Sequence, residues 1–384
     1  MRYGEIIHRC FRCGYCKFTS DYADFNCPSY RKYMFDTYAP GGRLWLIRAW
    51  LDGEITTSQR FQEILFSCAT CANCVEHCPF GFSADLVNIF IAAREQMVNS
   101  GIVPPAVRDY LKNIYISGNP YKEPTSARGS WADGTPIETY HGQDFLFYVG
   151  CVGSYDERGK RIAASVGRLL VLAGVSIGIL GHREICDGNE VQVLGESGLF
   201  QFLAEQNIAL FKELGVQKIV TLDPHAFNAF VKGYPGLGGD FEIYHYTQLL
   251  APLIQSRRIR LAGYNARITY HDSCYLGRHG GEYAAPRAIL QCIPGIELLE
   301  MEQSGENALC CGAGGGNFFT DILGGGEDSP SRIRVRQAVN TGARILAVSC
   351  PQCAKMLEDA SKAEEVDDRL EIMDVAEIVL RALS

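Results

Sequence analysis

The first third of the chain repeats apolar residues at helical spacing. The segments RLWLIRAWL (Arg43–Leu51) and FSADLVNIFIAAREQMV (Phe82–Val98) place aliphatic and aromatic side chains every three to four positions, which predicts two amphipathic helices. Ser83 stands where it would cap the second. From residue 144 the pattern changes. DFLFYVG (Asp144–Gly150), KIVTL (Lys218–Leu222), RITYH (Arg267–His271) and RILAVS (Arg344–Ser349) are short apolar runs, each followed by a turn and a helical stretch. That alternation predicts α/β units built on parallel sheet. Between the two regimes, residues 117–143 gather glycine, proline and serine and lose all periodicity. They read as a linker long enough to wrap over a surface.

The second half repeats itself. YVGCVG (Tyr148–Gly153) matches HDSCYLG (His271–Gly277), EICDG (Glu184–Gly188) matches ALCCG (Ala308–Gly312), and KIVTLDPHAF (Lys218–Phe227) matches RILAVSCPQCAKM (Arg344–Met356). Cys151 then aligns with Cys274, Cys186 with Cys310 and Asp223 with Cys350, at offsets of 123, 124 and 127 residues. Three landmarks in step imply two related units packed about a pseudo-twofold axis, with their loops near one cleft. The expected organisation is α+β multidomain: a helical domain over 1–116, the linker over 117–143, a first repeat over 144–262 and a second over 263–384.

The cysteines give this frame its chemistry. Eight of sixteen fall in two matching runs, CFRCGYC (Cys10, Cys13, Cys16) with Cys27-Pro28, and CATCANC (Cys68, Cys71, Cys74) with Cys78-Pro79. Cys-x2-Cys-x2-Cys-x3-Cys-Pro is the ligand run of two-cluster ferredoxins, in which the fourth cysteine serves the other cluster. The expected sets are Cys10, Cys13, Cys16 and Cys78 for one [4Fe-4S] cubane, and Cys68, Cys71, Cys74 and Cys27 for the other. The first run departs from the pattern, because ten residues, KFTSDYADFN, separate Cys16 from Cys27. Structural zinc takes four ligands, usually as two Cys-x2-Cys pairs, and leaves the third cysteine and the Cys-Pro unexplained. Disulfides do not suit a chain that lacks every mark of secretion.

The second repeat carries five more cysteines, Cys274, Cys310, Cys311, Cys350 and Cys353, each after a predicted strand or at a glycine-rich turn. Strand ends of open α/β sheets are where ligands bind. Five thiolates exceed what a cubane needs and suit an opened or linked cluster. The glycines of CCGAGGG (Cys310–Gly316) would let backbone come close and donate N–H groups to sulfide. In the first repeat only Cys151 and Cys186 remain. Asp187, Asp223 and Ala226 replace the other three, with Pro224 and His225 kept. Two thiolates cannot hold a [4Fe-4S] cluster. This repeat reads as a refilled scaffold, or alternatively as a cavity where Asp187, Asp223 and His225 donate protons or touch substrate.

Cys-x35-Cys-Cys-Gly-x37-Cys-x2-Cys behind a two-cubane segment resembles the cysteine-rich "CCG" domain pair in the catalytic D subunit of heterodisulfide reductases. Similar architecture occurs in the iron-sulfur subunits of glycolate and lactate oxidases and in the K subunit of the dissimilatory sulfite reductase membrane complex. The resemblance implies an N-terminal helical ferredoxin-like domain followed by paired α/β CCG domains. It also implies a noncubane [4Fe-4S] cluster on Cys274, Cys310, Cys311, Cys350 and Cys353, with zinc as the alternative some relatives use. With one intact five-cysteine set, a mechanism that divides a disulfide between two noncubane clusters is closed to this chain.

Net charge is −8, with 47% hydrophobic and 21% charged residues. That describes a soluble protein and argues against nucleic acid as a partner. The longest apolar run, LLVLAGVSIGIL (Leu169–Leu180), is too short to span a bilayer. The reading is cytoplasmic, reaching a membrane only through partner subunits. Glycine stretches at 233–239, 312–316 and 324–326 lack the context of a phosphate or dinucleotide loop, so any flavin belongs to a partner. Cys292, in an apolar setting, reads as structural, and so do His271 and His279. Arg9, Arg12, Arg43 and Arg48 read as solvated charges. The expected function is an iron-sulfur electron-transfer subunit of a larger oxidoreductase. The alternatives are a disulfide or persulfide reductase, a glycolate- or lactate-oxidase partner, and a zinc-stabilised docking module.

Overall fold

A computed structural model describes residues 3–383. Residues 4–117 form short helices and turns, the longest being Pro40–Leu51, Leu86–Asn99 and Pro105–Ser117. Two parallel sheets follow. The first holds β1 (Glu138–Thr139), β2 (Phe145–Tyr148), β3 (Ile177–Ile179), β4 (Lys218–Thr221) and β5 (Glu242–His245), in the order β1-β3-β2-β4-β5. The second holds β6 (Ala266–Tyr270), β7 (Ile296–Leu298), β8 (Ile345–Val348) and β9 (Glu371–Asp374), in the order β7-β6-β8-β9. Without β1 the two sheets have one topology, and the register agrees: Leu146 pairs with Ile219 as Ile268 pairs with Ile345. The repeated sequence thus folds into two copies of one α/β unit, behind an α-helical cysteine-bearing region.

The four runs read as strands are β2, β4, β6 and β8, each with neighbours on both sides. The edge strands β1, β5, β7 and β9, and the three-residue β3, escaped notice. An edge is short and half solvated, so it lacks the continuous apolar run that marks a strand buried on both faces.

Strand alternation welds the molecule together. Leu146 and Tyr148 of β2 point into the core shared with Leu86, Ile89, Phe90 and Met97 of helix Leu86–Asn99. Phe147 and Val149 point into the core shared with Ile162, Val166 and the second repeat. The two repeats lock through Arg158, which pairs with Glu358 and with Glu377 (Nη1 to Oε1, 2.5 Å), and through Tyr246, whose hydroxyl donates to Asp374 (2.7 Å).

Three local expectations need correction. Ser83 does not cap helix Leu86–Asn99. It opens a single 3-10 turn (Ser83–Asp85), whose backbone bonds Asp85 N–H to Phe82 O and Leu86 N–H to Ser83 O meet the donors a cap would serve. Residues 117–143 are packed into the first repeat: they supply β1, and they bury Trp131 and Arg128. Arg43 is not solvated. It is 1% exposed, donating to Ile64 O (2.8 Å), Ser29 Oγ (2.7 Å) and Ser67 Oγ (3.1 Å).

Candidate iron-sulfur centres

The two N-terminal cysteine runs share one backbone shape. Arg12 (φ 54°) and Gly14 (φ 84°) flank Cys13 in the left-handed region, and Thr70 (φ 46°) and Ala72 (φ 59°) flank Cys71 in the same way. Three of these four lack glycine's freedom there, so the fold carries a strain that an ordinary turn would avoid. The shape turns three sulfurs toward one point. Cys10, Cys13 and Cys16 line a small cavity with Cys78, under Phe80, Phe82 and Leu86. A second small cavity is lined by Cys68, Cys71, Cys74 and Cys27, with Arg43 on its wall. The insertion before Cys27 folds back through Phe18 and Phe25, which form an isolated bridge, and Asn26 N–H donates to Lys17 O (2.7 Å). The donor sets, the strained loops and the close approach of Gly41, whose added Cβ would lie 3.8 Å from Cys10 Sγ and 3.9 Å from Cys16 Sγ, fit a thiolate-held cubane in each cavity.

The five cysteines of the second repeat also converge. Cys274 and Cys310 sulfurs lie 3.6 Å apart, Cys311 and Cys353 3.4 Å apart, and Cys350 contacts Cys353. None is more than 5% exposed. His271 does more than pack. Arg334 Nε donates to its Nδ1 (3.1 Å), so the ring proton sits on Nε2. That Nε2–H has no hydrogen-bond partner among the described residues, and a ring nitrogen of His271 lies within 4.8 Å of the Cys311 and Cys353 sulfurs. A buried donor aimed at thiolates is what a sulfur-ligated centre needs around it.

The glycines after Cys311 let backbone come close to a neighbouring loop. Of their N–H groups, that of Gly312 reaches a cysteine sulfur, Cys310 Sγ, at 3.3 Å. Gly314 and Gly315 press on the second cubane loop, where added Cβ atoms would meet Ala69 O at 2.5 Å and Cys68 O at 2.2 Å. Gly316 N–H is taken by the Glu190 carboxylate. The close approach packs Cys71 of the second cysteine run into one buried cluster with Cys274 and Cys310 of the five-cysteine group.

Arg94 holds this junction. Fully buried, it donates to Leu65 O (3.0 Å), Phe66 O (3.2 Å), Cys68 O (2.7 Å), Val193 O (2.8 Å) and Gly315 O (3.4 Å), and burial pushes its guanidinium down to about 10. Leu65 and Phe66 end helix Gln59–Phe66, where unpaired carbonyls welcome a cation. Arg278 supplies a second clasp, donating to Cys71 O (2.7 Å), Glu306 O (2.9 Å) and Ala308 O (2.8 Å).

The first repeat holds a small cavity lined by Cys151, Cys186, Asp187, Glu190, Asp223, His225 and, from the other repeat, Phe319 and Gln352. Asp187 Oδ1 accepts from Asn189 N–H (2.8 Å) and Asp223 Oδ1 from His225 N–H (2.9 Å), so both carboxylates shape turns as well as line the cavity. His225 Nδ1 meets Glu190 Oε1 at 2.5 Å, and the ring also contacts Cys350. Burial alone would lower this imidazole, but the Glu190 carboxylate outweighs it and holds His225 well above its usual range. His225 stacks on Tyr275 (4.0 Å between centroids), and Tyr275 on His279 (4.4 Å), whose Nε2 meets Thr70 O at 2.7 Å. Sequence reasoning missed Glu190, Tyr275, Arg94 and Arg128. Tyr275 adjoins Cys274 and offered a signal, whereas the two arginines sit in segments with no motif.

A family model described as "4Fe-4S dicluster domain" matches residues 6–82, and one described as "Cysteine-rich domain" matches 145–230 and 268–358. The D subunit of the dihydromethanophenazine:CoB-CoM heterodisulfide reductase of Methanosarcina barkeri is 31% identical over 98% of this chain and 94% of its own length. The chain belongs to the family of heterodisulfide reductase D subunits. It is an iron-sulfur protein with a 4Fe-4S dicluster region ahead of two CCG domains, an architecture of electron-transferring oxidoreductase subunits. "Probable iron-sulfur-binding oxidoreductase FadF" of Bacillus subtilis is 38% identical over 87% of the chain, and EtfAB:quinone oxidoreductase of Syntrophomonas wolfei 33% over 84%. The chain spans about half the length of these two, 48% and 47%. A crystal structure of a hypothetical protein from Helicobacter pylori shares the fold at TM-score 0.57 and 12% identity, over 92% of this chain and 70% of that one. No helix among the described residues is long and apolar enough to cross a membrane.

Proposed function

We propose that this chain is the electron-relaying subunit of a multisubunit oxidoreductase complex. It would hold cubanes on Cys10, Cys13, Cys16 and Cys78 and on Cys68, Cys71, Cys74 and Cys27, and a noncubane [4Fe-4S] centre on Cys274, Cys310, Cys311, Cys350 and Cys353. Such clusters take up and release single electrons. The observation that carries the reading is the buried cluster that Cys71 shares with Cys274 and Cys310, which puts proposed ligands of two different centres side by side. Arg94, Arg278, Gly314 and Gly315 keep that junction closed and dry. Cys13 is exposed, so the first cubane is where a donor or acceptor protein would dock, a flavoprotein being the proposed partner.

Burial of all five CCG cysteines favours a relay over a substrate site. One feature supports reduction chemistry instead. A crevice of about 760 Å³ beside helix Leu86–Asn99 is walled by Tyr275 and His279, next to Cys274. In that case Asp187, Asp223 and His225 would supply protons from the cavity on the other side of Tyr275. Anaerobic iron and sulfide analysis with EPR, on wild type and Cys311→Ser, tests the assignment. About twelve irons per chain and a signal lost in the variant are expected from three four-iron centres. About eight irons with one zinc would refute the third centre.

A further inference from the structure

The relay reading leaves the two cysteines of the first repeat without a task. Cys151 and Cys186 are both buried and free, and both line the cavity that they share with Asp187, Asp223 and His225. They occupy the places that Cys274 and Cys310, 3.6 Å apart, take in the second repeat. One of them has a guanidinium within hydrogen-bonding reach of its sulfur. Arg128, 1% exposed and drawn from the segment before β1, directs Nη2 at Cys151 Sγ (3.3 Å) while its Nε pairs with Glu184 (3.2 Å). Glu184 is itself fixed by Val149 N–H (3.2 Å) and Gly150 N–H (3.1 Å). A guanidinium locked against a thiol stabilises its thiolate, the form that reacts with a neighbouring sulfur.

We infer that Cys151 and Cys186 form a reversible dithiol–disulfide couple, a two-electron store beside the one-electron relay. On oxidation the Cys151 thiolate and the Cys186 thiol join in one S–S bond, and the S–H bond of Cys186 breaks. Its proton goes to the adjoining Asp187 carboxylate. The two electrons leave singly to an iron-sulfur acceptor, the chemistry that Cys350, touching His225 on the cavity wall, would hold. Reduction reverses each change. The two thiols line one cavity, in the places whose counterparts in the second repeat lie 3.6 Å apart, so closing the bond needs a side-chain movement and no change of fold. The electron route rests on the proposed relay, whereas the existence of the couple does not.

The test uses the full chain with its clusters, purified anaerobically. It is equilibrated in dithiothreitol buffers of graded redox poise, quenched in acid, alkylated, and mapped by mass spectrometry. Cys151 and Cys186 are expected to lose alkylation together and to appear as one linked peptide pair, with alkylation restored on reduction. Cys151→Ser and Cys186→Ser should keep the wild-type iron content and take up two fewer electrons per chain in coulometric titration. Peptide mapping of wild type stands even if a variant folds poorly. Full alkylation of both thiols at every poise would overturn the proposal, and so would zinc or iron that is lost in Cys151→Ser. If the couple titrates in dithiothreitol but not through electron mediators, the dithiol stands and the relay route to it falls.

Discussion

Replacing Arg94 with methionine should separate the cubane loop from the CCG loop. The side chain fits the same slot, but the five carbonyls of Leu65, Phe66, Cys68, Val193 and Gly315 lose the cation they share. Three of the contacts, to Leu65, Cys68 and Val193, are 3.0 Å or shorter. Charge-assisted bonds of this kind contribute about 1.5–3 kcal/mol each. Against this stands the cost of keeping a guanidinium buried with no carboxylate ion pair among the described residues. A buried acceptor left unsatisfied typically costs about 1–3 kcal/mol, and with the burial cost of the guanidinium relieved, a net loss of about 2–4 kcal/mol is expected over the three short contacts. The variant should also lower the reduction potential of the second cubane, because a positive charge near the cluster favours its reduced form. At an effective dielectric near 20, a charge roughly 8–12 Å away contributes ~1.4–2 kcal/mol, or about 60–90 mV for a one-electron couple. Anaerobic urea unfolding followed by cluster absorbance would measure the first effect, and an EPR-monitored redox titration the second. Arg94→Lys, with three donors on a point charge, should recover much of the potential and little of the stability. If Arg94→Met unfolds within about 1 kcal/mol of wild type and keeps its potentials, the junction is not held as described.

Two further predictions concern the second repeat. His271→Ala removes the Nε2–H directed at Cys311 and Cys353, and should lower the potential of that centre by roughly 20–40 mV, a differential of ~0.5–1 kcal/mol between redox states. An unchanged titration of that centre, beside unchanged cubanes, would show that the hydrogen bond goes elsewhere. Burial pushes the Asp374 carboxyl up to about 7 from 3.8, so the folded state holds a proton that the unfolded chain releases. The resulting stability is present in full below about pH 4 and is lost as pH rises to 7, for a total of ~4 kcal/mol at about 1.36 kcal/mol per unit. Asp374→Asn keeps an oxygen for Tyr246 and Ala376 and should gain on wild type between pH 5.5 and 8 in urea unfolding. Parallel curves would refute this ionisation.

Most of the chemistry was legible because it is local. Cysteine spacing of two residues, with a left-handed residue on each side of the middle one, is a property of seven-residue stretches, and those stretches carry it in the sequence. The inner strands β2, β4, β6 and β8 were readable for a similar reason, since burial on both faces demands a continuous apolar run. The repeat was readable from three landmarks in step. Edge strands, the 3-10 turn at Ser83 and the packing of residues 117–143 were not, because half-solvated or irregular backbone imposes no period.

The sequence alone determined which atoms are available as ligands and that two copies of one α/β unit follow the dicluster region. Only the tertiary structure decided which of those groups meet. Cys71 and Cys310 are 239 residues apart, and Arg94 and Gly315 221, so no spacing rule connects them. Gly314 and Gly315 admit the backbone of Cys68 and Ala69, and Arg128, in a stretch without any motif, comes to rest against Cys151. Ligand identity follows from covalent geometry over a few residues. Contacts between centres follow from the burial of two strand faces and a shared core, and that is settled only when the whole chain packs.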